Sequence, residues 1–138
     1  MSATERKYLL CAGPIACCMC DLTVTLWGQS SGYWAGDYGD VIEGNPIPRW
    51  LLHQHPGALV IAIVVWIATF SGAICWLGDR PANIVARSIV LGHACAVCTW
   101  WVNDGIPGII GIVCLLLFVG CFARLFEQPH NSVVERTD

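Results

Sequence analysis

Asp21, Glu43 and His93 stand out in a chain that otherwise reads mostly as oil. A carboxylate at mid-membrane costs about 2.5–3.5 kcal/mol on insertion scales, so an acid inside an apolar run needs partners. At helical rise, Asp21 lies about 10 Å inside the end of its run at Gly28. Cys17, Cys18, Asp21, Thr25 and Gly28 share one helical face by i, i+3 and i+4 spacing. That stripe is expected to face other helices, because lipid would leave the carboxylate unsatisfied. His93, at similar depth on a later run, is the natural partner, either as a charged pair or with a protonated Asp21 donating to it. As structure, such a pair fixes helix packing. With Glu43 as a lid or rim ligand, it becomes an outward-facing polar pocket for a cation or small polar ligand.

Two other donor sets compete with that reading. Asp21, Glu43, His53, His55 and His93 offer the oxygen and nitrogen ligands that Zn, Fe or Mn accept, so a divalent metal is an open option, although no cofactor is required. The i, i+2 spacing of H53-Q-H55 splits the two rings across a helix, and only irregular or extended backbone would let both bind one ion. C95-A-V-C98 has redox spacing, and four-span membrane thiol oxidoreductases also use CxxC. Those enzymes relay through a further exposed cysteine pair, which the loop 29–56 lacks. The nine cysteines (Cys11, Cys17, Cys18, Cys20, Cys75, Cys95, Cys98, Cys114 and Cys121) all lie in apolar runs, where cysteine packs as a small apolar residue. HExxH, a glycine-rich phosphate loop, GxSG and GxGD are all missing from the sequence. The leading expectation is a non-enzymatic accessory or binding subunit. The alternative is an intramembrane metal-assisted hydrolase or a CxxC thiol oxidoreductase.

The elements that position these residues follow from composition. The 138 residues are 56% hydrophobic and 12% charged, with a net charge of −3 and a mean hydropathy of +0.61. A small soluble domain buries only about 60–70% of its surface, too little to hide so much apolar side chain. A lipid bilayer is therefore the expected partner, with another membrane protein or a second copy as further possibilities. No basic run points to nucleic acid.

Four runs are long enough to cross a bilayer as helices: 8–28, 57–77, 84–102 and 108–124. The expected fold is all-α, a single-domain polytopic membrane protein built as a four-transmembrane-helix bundle. GDRPAN and NDGIP read as tight connections, and 125–138 as a tail. The run after MSATERK resembles a signal peptide in its charge and apolar start. It continues well past Cys17 and Cys18 and matches a lipidation site poorly, so a retained first span is expected.

In the loop 29–56, Gln29, Ser30 and Ser31 with Gly32 and Gly36 read as turns. Asn45 and Pro46 suit a helix start, predicting one short interfacial helix with Trp50, Leu51 and Leu52 on its apolar side. Pro56 removes the hydrogen bond that would reach the Leu52 carbonyl. Arg6, Lys7, Arg80, Arg87, Arg124 and Arg136 fall at one end of the spans. The loop end has Arg49 among Asp37, Asp40, Glu43 and Asp104. Both termini are thus expected in the cytoplasm, with the loop outside and Trp27, Trp34, Trp50, Trp100 and Trp101 near the outer interface. Arg87 is expected to snorkel toward the inner interface.

D21-L-T-V-T25 and E43-G-N-P46, an acid in the first span followed by a Glu-x-Asn-Pro loop, resemble a pattern of small, uncharacterised bacterial four-span membrane proteins. The resemblance covers residues 20–60. It implies a bacterial inner-membrane protein whose polar residues converge on the outer side, and it implies no reaction.

Overall fold

The computed structural model describes residues 2–102 and 105–125. Six helices follow one another: α1 (Ala3–Trp27), α2 (Ser31–Trp34), α3 (Pro46–Gln54), α4 (Pro56–Trp76), α5 (Asp79–Trp101) and α6 (Gly105–Leu125). Among the described residues there is no strand. α1, α4, α5 and α6 are each long and apolar enough to cross a membrane, and the chain is an all-α four-span bundle. The loop 29–56 caps one end. The start of α1 and the α4–α5 connection form the other, called here the terminal end. The expected turn at Asn103–Asp104, the tail beyond Leu125 and Arg136 lie outside the described residues.

α5 is the centre of the bundle and packs on α1, α4 and α6, most extensively on α1. Its buried face is small: Ala82, Ala86, Val90, Ala94 and Val97. Four-residue steps of small side chains let a neighbouring backbone come close, which is how helices associate when lipid supplies no hydrophobic drive. α1 answers with Leu10, Cys17 and Cys18, all buried. A Cβ on Gly13 would lie 2.3 Å from the Phe122 ring, so that glycine is the space in which α6 docks. The outer faces of α4 and α6 expose Ile61, Val64, Val65, Ile109, Leu116 and Leu117, a surface suited to lipid tails.

α5 begins five residues earlier than the expected run of 84–102. GDRPAN is a helix start rather than a turn: Gly78 is the cap, Asp79 enters the first turn, and Pro81 stands where no N–H need be donated. Only Leu77 and Gly78 separate α4 from α5. Positive charge at this end goes to helix ends. Arg6 pairs with Asp79 at 2.9 Å, and Lys7 donates to the Cys75 and Leu77 carbonyls that terminate α4. Arg87 does not simply reach for the interface: its Nη2 donates to the Ala123 carbonyl of α6 at 2.8 Å. Ser71 Oγ, Asn83 Oδ1 and Arg87 Nε are buried without a hydrogen-bond partner among the described residues.

The loop carries two helices where one was expected. Ser30 caps the single turn α2 by accepting from the Tyr33 N–H, and Gly36, at φ 104°, takes the left-handed conformation that turns the chain afterwards. Asn45 caps α3, with Pro46 in its first turn. Leu52 is fully buried and Trp50 exposed, so the apolar side of α3 divides between the bundle and its surroundings. Pro56 does deprive the Leu52 carbonyl of its helical donor, and the Tyr33 hydroxyl supplies one instead at 3.1 Å. Tyr33 is itself fully buried. That burial, with Tyr38 beside it, pushes the phenol above its ordinary pKa.

Candidate functional site

Asp21, on α1, meets His93, on α5: Nδ1 lies 2.7 Å from Asp21 Oδ2, and each side chain is about four-fifths buried, at 18% and 19% exposure. The Cys17–Gly28 stripe turns inward, which brings the carboxylate to its partner. A third helix joins the pair, because the Trp66 indole N–H of α4 donates to His93 Nε2 at 3.3 Å. An indole nitrogen only donates, so Nε2 must be the accepting nitrogen and Nδ1 the protonated one. His93 then donates from Nδ1 to Asp21 Oδ2. The chain Trp66–His93–Asp21 ties three spans together about 9–15 Å inside their loop-end termini at helical rise.

Above this chain a cavity of about 610 Å³ is lined by Asp21, Thr25, Ile42, Glu43, Gly44, Asn45, Pro48, Ala96, Thr99 and Trp100. Asp21 and Glu43 therefore share one space, and His93 supports the first of them from behind. Glu43 Oε1 accepts the Asn45 N–H at 2.7 Å, which holds the acid at the start of α3. Neither Asp21 Oδ1 nor Glu43 Oε2 accepts a hydrogen bond from any described residue, and the lining includes no lysine or arginine.

Gln29 is the part that sequence reasoning missed. It is buried, and its amide serves one backbone residue twice: Nε2 donates to the Ile42 carbonyl at 2.8 Å and Oε1 accepts the Ile42 N–H at 2.9 Å. Nε2 also donates to the Thr25 carbonyl at 2.8 Å, so the clamp is fixed to the end of α1. It pins the residue before Glu43 over Asp21. Trp66 was missed as well, since a tryptophan in an apolar span reads as one more lipid-facing ring.

The structure does not gather the five candidate metal ligands. His53 donates from Nδ1 to the Tyr38 carbonyl at 2.8 Å, and His55 Nδ1 accepts the Gly57 N–H at 2.9 Å, capping α4. His53 thus ties α3 to the earlier part of the loop, and His55 starts α4. Among the described residues, no three His, Cys, Asp or Glu side chains group as a metal ion would need. His55 does have extended backbone, at φ −179°, which the i, i+2 argument required, and its Nδ1 is taken up by the cap. Cys95 is exposed and Cys98 half-buried on α5, and all nine cysteines are free thiols.

No family model, curated protein or solved structure matches the chain.

Proposed function

We propose that this membrane protein is a non-enzymatic binding or accessory subunit whose loop-end cavity takes up a cation. The observation that carries the reading is the shared cavity of Asp21 and Glu43, two carboxylates with a free oxygen each and no cationic side chain among the lining residues. Asp21 is the deeper anion, oriented by His93 and Trp66, and Glu43 is the rim ligand. Buried charge of one sign in a low-dielectric cleft concentrates counter-ions of the other. As an accessory subunit the protein would meet a membrane-protein partner or a second copy of itself.

The cavity opens outward in this reading, with both termini cytoplasmic. Arg6, Lys7, Arg80, Arg87 and Arg124 at the terminal end support that orientation, against Arg49 at the loop end. The likeness of DLTVT and EGNP to small bacterial four-span proteins supports a bacterial inner membrane as its setting.

Melting of the purified protein in a panel of Na⁺, K⁺, Mg²⁺, Ca²⁺, Zn²⁺ and small ammonium salts tests the reading. At least one cation should raise the midpoint saturably, as any ligand selective for the native state must. Asp21→Asn keeps an oxygen for the His93 N–H but loses the charge, and should abolish that rise while leaving membrane insertion intact. The same rise in the variant would remove Asp21 from the account.

A further inference from the structure

Resting on the cation-pocket reading, we propose that the ligand is an alkylammonium, a protonated amine carrying a small carbon substituent, rather than a bare metal ion. Size is the first reason. About 610 Å³ falls in the range of small-molecule pockets, roughly 300–1,000 Å³, and far exceeds what an ion needs. Ligand supply is the second. Both His93 nitrogens are committed, to Asp21 and Trp66, and one Glu43 oxygen is committed to Asn45. A hard cation such as Ca²⁺ takes about six to eight oxygen ligands, and the two free carboxylate oxygens, even with the Thr25 hydroxyl, fall well short.

The walls supply what a carbon-bearing cation needs. Ile42, Pro48 and Ala96 offer apolar contact, and Trp100 offers a ring whose face attracts ammonium groups. Trp100 is seated firmly: a Cβ on Gly28 would lie 2.3 Å from its Cζ3, so the ring occupies the space that the glycine leaves. Thr25 provides a separate pointer to a ligand. It lines the cavity and is only 5% exposed, yet its hydroxyl makes no hydrogen bond with any described residue. That hydroxyl opens into the cavity and is free to accept an ammonium N–H. The two carboxylates attract the cation, the hydroxyl accepts its N–H, and the tryptophan and aliphatic wall receive the substituent.

The ammonium group could arrive free in solution or on a lipid headgroup, and the experiment separates the two. The full chain is placed in phosphatidylglycerol nanodiscs and melted with increasing methylammonium or ethanolamine. NaCl and MgCl₂ at equal ionic strength are the controls. A second preparation uses phosphatidylethanolamine discs with no added amine. The expected result is a saturable rise in midpoint with either amine, or on changing the lipid, that the inorganic salts do not reproduce. Glu43→Gln, which keeps the oxygen that accepts the Asn45 N–H, should weaken the apparent affinity for the amine at least tenfold, or cancel the lipid effect. Trp100→Leu should do the same if it folds, and Thr25→Val is the milder substitute if it does not. A response in the phosphatidylglycerol discs assigns a free amine, and one confined to the phosphatidylethanolamine discs assigns the headgroup. An inorganic cation that stabilises equally through Asp21 and Glu43 would overturn this inference and leave the cation pocket standing. No response to any cation or lipid would overturn both.

Discussion

The two ends of the bundle use their charges in opposite ways. At the terminal end, Arg6 pairs with Asp79, Lys7 covers the last carbonyls of α4, and Arg87 reaches the Ala123 carbonyl. These cations are spent on closing helices. At the loop end, Asp21 and Glu43 each spend one oxygen on structure and present the other to a common cavity. Buried polar atoms without partners occur toward the terminal end too, at Ser71, Asn83 and Arg87. Charge that closes a fold and charge left open to a cavity are told apart by what each atom already bonds, more than by which residues are present.

If the ends are separate in this sense, damage at one should leave the other's work intact. The largest expected effect is at Gly13. Gly13→Ala drives a methyl group into the Phe122 ring and should cost about 1–3 kcal/mol of stability, read by unfolding in mixed detergent, while the surviving folded protein binds its cation normally. Gln29→Leu should do the reverse. It leaves both backbone groups of Ile42 unpaired at a cost of about 1–2 kcal/mol, and titration should show cation affinity falling about tenfold or more, a loss of roughly 1.4 kcal/mol in binding. Unchanged affinity in that variant would mean that Glu43 holds its place without the clamp.

Smaller effects sharpen the contrast. Tyr33→Phe leaves the Leu52 carbonyl without its donor, and should cost about 1 kcal/mol with little change in binding. Trp66→Phe removes one interhelical hydrogen bond, worth about 0.6 kcal/mol by the average for such bonds in membranes. Unfolding in mixed detergent should read that loss. Arg6→Ala, which breaks a pair with Asp79 whose partners are 25% and 55% exposed, should cost under about 0.5 kcal/mol, and salt should erase the difference.

The long apolar helices and the Asp21–His93 meeting could be read from the sequence for one reason. Charge within an apolar run is so expensive that its surroundings are nearly dictated. Glu43 near the rim followed from the helix start that Asn45 and Pro46 signal. The early start of α5 was obscured because Asp79, Arg80 and Pro81 look equally like a turn, and only the caps distinguish a turn from a first helical turn. Gln29 could not be found this way. A lone glutamine beside two serines reads as loop, and nothing local announces that its amide bonds a backbone residue thirteen positions on. Trp66 was hidden for a similar reason, since its ring suits lipid and only the position of His93 gives its N–H a purpose. Long-range polar contacts made by ordinary loop or apolar residues leave little trace in local pattern.

The most direct test follows ¹³C-labelled carboxyl signals of Asp21, Glu43 and Asp79 in one sample during titration with methylammonium. The account predicts that Asp21 and Glu43 shift together along a single saturation curve while Asp79, at the other end, stays still. Separate curves for Asp21 and Glu43, or an Asp79 signal that moves with them, would contradict a shared cation site at the loop end.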